Sequence, residues 1–223
     1  MKRMLQSKFY GGIFMKKVLL LGDSIRSGYD KAIRKTLEGK AEVYFPNDNC
    51  RFAAYLLRYL HEYGEAVENG KPDVIHWNAG LWDCLRMFEE EPLTPIEVYC
   101  YYIERICKRI KKLYPEAKVI FATSTRVQSE KMSKDLRRYN EDTEAYNEAA
   151  EKIVKEYGFE VNDLYALSAT LPDEAHSDPT HYYTPIGTEV FANQVLSYLL
   201  PALGIEEELT YKEDLYTDKP VGI

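Results

Sequence analysis

The chain reads as an α/β protein, a mostly parallel sheet of five strands covered by helices on both faces. Three observations predict it. Short apolar runs of strand length recur along the chain, most are followed by a stretch of helical period, and Gly, Pro, Asn and Asp punctuate the changes. Strands that alternate with helices become parallel neighbours through crossovers, and those crossovers lay helices on the sheet. The 223 residues, 45% apolar and 29% charged, suit one large globular domain with a sizeable core.

Taken in order, Val18-Leu19-Leu20-Leu21 is continuously apolar, as a strand buried on both faces should be. Tyr29, Ile33 and Leu37 keep helical spacing up to Gly39. Ala41 to Phe45 alternates as a second strand, and Pro46-Asn47-Asp48-Asn49 is a loop. Phe52, Tyr55, Leu56, Tyr59, Leu60 and Tyr63 share one helix stripe, with Gly64 as its stop. Val74-Ile75-His76-Trp77 is the third strand. Thr94-Pro95-Ile96-Glu97 has capping-box spacing and a proline at the first helical position. It opens a helix with Ile96, Cys100, Ile103, Cys107, Ile110 and Tyr114 on one face. Lys118 to Ala122 is the fourth strand, and residues 124–138 are polar and basic. Tyr146, Ala149, Ala150, Ile153 and Tyr157 mark a helix ended by Gly158, before a short fifth strand at Phe159-Glu160-Val161. Thr184-Pro185 opens the last helix, which turns Ile186, Val190, Phe191 and Val195 inward and stops at Pro201.

Charge and patterning narrow the partners. A formal charge of −7, from 29 basic and 36 acidic side chains, argues against a nucleic-acid partner, which needs a clustered basic face. No apolar run approaches the roughly 18 residues of a membrane span. Lys16-Lys17 interrupts Gly11-Gly12-Ile13-Phe14 before any secretory apolar region forms, so a cytoplasmic location is expected. Residues 1–14 are then an N-terminal extension, with Met15 an alternative start, and residues 15–201 are the domain. Residues 202–223 form an acidic tail. Its Leu209, Tyr211, Leu215 and Tyr216 are suited to dock on the body or on a second subunit of a homo-oligomer. Cys50, Cys84, Cys100 and Cys107 lack metal-type spacing and are read as reduced thiols.

The chemistry gathers at the carboxyl edge of the sheet, where open α/β folds bind ligands. Val18–Leu21 runs into Gly22-Asp23-Ser24, which places a serine where a helix begins. Such a serine is a candidate nucleophile, although the same three residues also serve as a turn and N-cap. A nucleophilic serine needs a base oriented by a third group. His61 and His76 lie within helix and strand patterns, which leaves the loop His176-Ser177-Asp178-Pro179-Thr180-His181. There Asp178 can hold the imidazole Nδ1–H and leave Nε2 for Ser24, the division of roles in a Ser-His-Asp triad. Arg51, Arg86 and Arg126 fall in loops at the same edge, where they could meet an anionic or hydroxyl-rich substrate group.

Gly22-Asp23-Ser24 together with Asp178-Pro179-Thr180-His181 resembles the GDSL/SGNH hydrolase family, over most of the chain from about Met15 to Pro201. The resemblance implies a three-layer, flavodoxin-like α/β/α fold and carboxylic ester hydrolysis through an acyl-enzyme, without metal or organic cofactor. By position it makes Ser24 the nucleophile, His181 the general base and acid, and Asp178 its orienter. It also implies an oxyanion hole, and here the chain departs from the family pattern. Where the second block carries a glycine, the match is Cys50 in Asn49-Cys50-Arg51, whose backbone N–H can still donate. Where the third block reads Gly-x-Asn-Asp, this chain reads Gly80-Leu81-Trp82-Asp83. Trp82 is then either an indole donor or an aromatic lid over the acyl pocket, and Asn78 is the alternative amide. Ser24 completes the oxyanion set, and Asp23, Arg51 and Trp82 are the expected substrate contacts.

The expected function is therefore hydrolysis of a small-molecule acyl ester, such as a carbohydrate acetyl ester. Acyl transfer by the same residues is one alternative. A catalytically weakened binding or interaction protein is another, motivated by Trp82 and the tail. A plain anion-binding module has no use for the Asp178 and His181 pair, and no phosphate-binding glycine loop follows the first strand.

Overall fold

The structure, a computed structural model, describes residues 15–212. The predicted extension before Met15, and Leu215 and Tyr216 of the tail, lie outside the described residues. The main sheet is built from β1 (Lys16–Leu21), β2 (Ala41–Tyr44), β3 (Val74–Trp77), β5 (Lys118–Ala122) and β7 (Glu160–Asn162). Its order is β2-β1-β3-β5-β7 with every pairing parallel, for example Leu19 against Ile75 and His76 against Ile120. The helices are α1 (Ser24–Ser27), α2 (Asp30–Thr36), α3 (Ala53–Glu65), α4 (Ile96–Leu113), α5 (Asn140–Glu156), α6 (Leu164–Ala169) and α7 (Pro185–Leu203). Along one layer α3 packs on α4 and α4 on α5, while α2 packs on α7 in the other. This is the doubly wound, flavodoxin-like arrangement the sequence predicts. No described helix is long and apolar enough to cross a membrane.

Val18, Leu19, Leu20 and Leu21 are each no more than 1% exposed. Burying such a side chain is worth about 2 kcal/mol, which matches or exceeds the ~1–2 kcal/mol cost of ordering each backbone unit. The strand is thereby fixed at the centre of the sheet. The winding direction reverses between β1 and β3, and the carboxyl ends of strands beside such a reversal frame a crevice. That crevice receives Gly22-Asp23-Ser24 from β1 and Asn78 from β3.

Several local expectations change in the folded chain. Arg86–Met87 (β4) and Leu136–Arg137 (β6) form a separate antiparallel pair inside stretches read as polar loop. With two residues each, they carry no usable period. Thr184 caps α7 as expected, its Oγ1 accepting from Gly187 N–H at 3.0 Å. Thr94 does not cap α4: its side chain is engaged by the Asp83 carboxylate, its N–H donates to the Asp83 carbonyl at 3.0 Å, and the helix starts one residue later. Gly64 lies inside α3 instead of ending it. A Cβ there would fall 1.6 Å from Tyr114 Oη, so the glycine serves close packing between α3 and the end of α4. Pro201 lies inside the last turn of α7 and does not stop it; Gly204 at φ 69° ends the helix.

The described part of the tail folds back on its own body. Asn193 brackets Tyr211 through hydrogen bonds of 2.7 and 3.0 Å, Tyr211 is 3% exposed, and Glu207 pairs with Lys40. Cys50, Cys84 and Cys107 are buried and Cys100 is half-buried, all as free thiols.

Candidate active site

Ser24 is set by its neighbours. After Leu21 the chain turns through Gly22, and Asp23 becomes the N-cap of α1, its Oδ1 accepting from Ile25 N–H at 3.0 Å. Asp23 is fully buried: its Oδ1 serves the turn, and its Oδ2 has no hydrogen-bond partner among the described residues. As first residue of the helix, Ser24 has an N–H with no intrahelical acceptor. Two residues on, buried Arg26 pairs with Asp30 and donates to the carbonyls of Pro46 (3.1 Å) and Asp48 (2.7 Å). That guanidinium ties the β2–α3 loop against α1. Sequence reasoning passed over Arg26, although an Arg–Asp pair at i,i+4 was there to read.

The loop before α7 delivers the partner groups. Asp178 Oδ1 accepts from the N–H groups of Thr180 (2.8 Å) and His181 (2.9 Å), and its Oδ2 lies 2.8 Å from His181 Nδ1. His181 Nε2 lies 2.8 Å from Ser24 Oγ. Asp178 cannot donate when ionised, so Nδ1 carries the proton and Nε2 is left as the acceptor for the serine hydroxyl. Burial works to raise the Asp178 carboxyl. The Thr180 N–H and the His181 contacts outweigh it and hold the group below the usual carboxylate range. Tyr183 adds two constraints: its ring stacks on His181 (centroids 4.7 Å apart, 22° between planes), and its hydroxyl donates to the Ser24 carbonyl at 2.6 Å.

The oxyanion side differs from expectation. The Cys50 N–H donates to the Gly22 carbonyl at 3.0 Å, so it is committed to joining the two loops and is not a free donor. The left-handed conformation a glycine would favour falls one residue later, at Arg51 (φ 50°), whose N–H lies 2.8 Å from Asn49 Oδ1. Burial pushes the Cys50 thiol up to about 11, which leaves it a space-filler. Asn78 is 2% exposed and its side chain presses on Gly22, where an added Cβ would fall 1.8 Å from Oδ1. Trp82 is half-buried, and its indole N–H has no hydrogen-bond partner among the described residues. Asp83 is fully buried and braces loops, its carboxylate accepting from Ala53 N–H at 3.0 Å; burial pushes it up to about 7.

Of the three arginines predicted at this edge, Arg86 is held by Asp142 at 2.7 and 3.0 Å. Arg51 and Arg126 are exposed, Arg51 lying over the Tyr55 ring at 5.0 Å. A fourth, Arg138, went unread inside the polar stretch 124–138. It is buried, and its Nε donates to the Leu81 carbonyl. Among the other histidines, His76 is fully buried in β3, and the His176 ring lies tilted against Tyr182, with centroids 4.0 Å apart.

Comparison with known proteins places the chain in a family. The model of the GDSL-like lipase/acylhydrolase family matches residues 20–185, a span that holds Ser24, Asp178 and His181. The fold is similar to a lipase/acylhydrolase from Enterococcus faecalis, with 20% identity, TM-score 0.65, and coverage of 89% of this chain and 99% of that one. It is also similar to the acetyl xylan esterase AlAXEase (16% identity, TM-score 0.63, 82% and 99% covered). A third is Axe2, an acetylxylan esterase from Geobacillus stearothermophilus (16% identity, TM-score 0.61, 86% and 95% covered). At these identities the likeness is one of fold. No curated protein matches the chain in sequence.

Proposed function

Because the chain belongs to the GDSL-like lipase/acylhydrolase family and is a carboxylic ester hydrolase, we propose that Ser24, His181 and Asp178 carry out the hydrolysis of a short acyl ester. The observation that carries this assignment is the unbroken line from Asp178 Oδ2 through the imidazole to Ser24 Oγ, with 2.8 Å at each end.

Ser24 Oγ attacks the ester carbonyl carbon while its proton passes to His181 Nε2, giving a tetrahedral oxyanion. The bond to the alcohol oxygen then breaks, His181 returns the proton to that oxygen, and an acyl-serine remains. A water attacks the acyl carbon with His181 again taking a proton, and the acid leaves as Ser24 regains its hydrogen. Asp178 stabilises the imidazolium formed in both stages and keeps its orientation. For the oxyanion we assign the Ser24 N–H and the amide of Asn78, the side chain packed nearest the serine turn. Such donors work by being held in place beforehand. No hydrogen bond from the described residues orients the Trp82 indole, so we read Trp82 as a wall of the acyl pocket. The acetylxylan esterases of the same fold support a small acyl group, with an ester of a carbohydrate as one member of the class.

The test compares purified wild type and Ser24→Ala on para-nitrophenyl acetate, and follows a fluorophosphonate adduct by intact mass. Turnover and one adduct in the wild type, with both lost in Ser24→Ala, are expected. Retained turnover in Ser24→Ala would sink the assignment.

A further inference from the structure

Arg138 is a buried cation without a counter-ion. It is 8% exposed. Its Nε donates to the Leu81 carbonyl, and its Nη1 lies 3.5 Å from Thr180 Oγ1, a long contact. No carboxylate of the described residues lies within ion-pair distance of it, whereas buried Arg26 has Asp30 and half-buried Arg86 has Asp142. A guanidinium has five N–H donors, and Nη2 here has no protein acceptor among the described residues. Burying an ion costs several kcal/mol unless it is paired and its hydrogen bonds are satisfied. One carbonyl and one distant hydroxyl do not offset that.

Its position points to what does. Leu81 immediately precedes Trp82, and Thr180 immediately precedes His181, so Arg138 spans the two loops that flank Ser24. Burial pulls against its charged form, and Cys84, Asp23 and Asp178 act on it only at longer range. The cation is thus held between the loops that carry Trp82 and His181, with part of its donor fork unused. Such a fork matches a carboxylate in two parallel bonds.

We propose that the natural ester carries a carboxylate, in its acyl or its alcohol half, which pairs with Arg138. The proposal rests on the ester-hydrolase reading above and narrows its substrate class.

Two matched pairs of esters test it. For the acyl half, the para-nitrophenyl monoester of adipic acid is compared with para-nitrophenyl hexanoate. For the alcohol half, para-acetoxybenzoate is compared with para-acetoxybenzamide. Wild type is expected to favour the anionic member of one pair by ~10-fold or more in kcat/KM, the range of a hydrogen bond to a charged group. Arg138→Met should bring that ratio to about 1 while changing the neutral ester by no more than ~3-fold. Absence of any anionic preference in a wild type that turns over the neutral esters overturns the proposal. So does an equal loss on both members in Arg138→Met, which marks a purely structural strut. If instead the wild type hydrolyses no ester and takes no fluorophosphonate, the ester-hydrolase reading itself fails. Should Arg138→Met not fold, inhibition of the wild type by adipate and not by adipamide supports the pairing, and equal inhibition by the two overturns it.

Discussion

The two walls of the crevice around Ser24 are built to different standards. On the proton-transfer side every group is fixed more than once. Asp178 is held by two backbone N–H groups, and His181 by Asp178 below and the Tyr183 ring alongside. The Thr184 cap anchors α7 immediately after them. On the oxyanion side the groups at the family-pattern positions are committed elsewhere or replaced. Cys50 N–H serves Gly22, Arg51 occupies a left-handed conformation without being glycine, and Trp82 stands where an amide is expected. Proton transfer tolerates small errors of geometry poorly and needs a specified tautomer. Oxyanion donors can be drawn from several backbone and side-chain groups, so the second wall has more freedom to diverge. The difference predicts a complete relay whose oxyanion support rests on the Ser24 N–H and the Asn78 amide.

The largest effects should come from breaking the well-built wall. Ser24→Ala is expected to lower kcat/KM by at least ~10⁴-fold, and Asp178→Asn by about the same factor. Asp178→Asn must do so with the fold intact, by mis-setting the His181 tautomer. Steady-state kinetics beside circular dichroism checks both. A loss below tenfold in Asp178→Asn would mean that the Tyr183 stack and the loop backbone orient His181 without help.

The next effect belongs to the other wall. Gly22→Ala places a methyl group 1.8 Å from Asn78 Oδ1, at a φ of 156° that side chains rarely adopt, so the Asn78 side chain must leave its seat or the turn must shift. If that amide is the donor, kcat falls by roughly 10²–10³-fold, the value of one oxyanion-hole donor. Asn78→Ala should fall by a similar factor, and the double variant by little more. Independent, multiplying losses would place the donor elsewhere.

Trp82 should matter less. Trp82→Phe deletes the indole N–H and keeps a ring, and is expected to leave kcat within about twofold. Trp82→Ala should raise KM by ~10-fold through lost apolar contact. A kcat loss in Trp82→Phe comparable to that of Gly22→Ala would make the indole the donor after all.

These two walls were also unequally legible. β1, the nucleophile turn and the Asp178–His181 loop announce themselves through local chemistry, namely an apolar run, an N-cap aspartate, and a proline-fixed turn before a Thr-Pro helix start. The five parallel strands followed from alternation alone, to within a residue or two at their ends. The second wall depends on facts no residue type encodes. Which N–H remains free is decided by the Cys50 bond to Gly22, a tertiary event, and a left-handed φ at Arg51 has no signature when the residue is not glycine. Arg138 was hidden for a different reason. A lone arginine among polar residues reads as surface, and only folding of the short β4–β6 pair carries it inward.

A second histidine sharpens the contrast from outside the site, with the smallest consequence for activity. His76 has no carboxylate beside it. Its Nε2 lies 3.2 Å from Asn162 Nδ2, its Nδ1 is buried without a partner, and burial lowers its pKa to about 3. The unfolded chain binds that proton near the ordinary 6.5. Between about pH 6.5 and 3 the unfolded state therefore holds one more proton than the folded state, and stability falls on acidification through this window. The whole term is on the order of 5 kcal/mol, at about 1.4 kcal/mol per pH unit. Asp83, raised to about 7, acts in the opposite sense between roughly pH 4 and 7 and partly masks the slope in the wild type. His76→Gln keeps an acceptor for Asn162 and removes the titration. Urea unfolding at pH 7, 5.5 and 4.5 should show wild type losing stability relative to His76→Gln with each step, while turnover at pH 7 stays within about twofold. Parallel curves for the two proteins would show that His76 is protonated in the fold as readily as outside it, and that burial alone does not distinguish the two histidines.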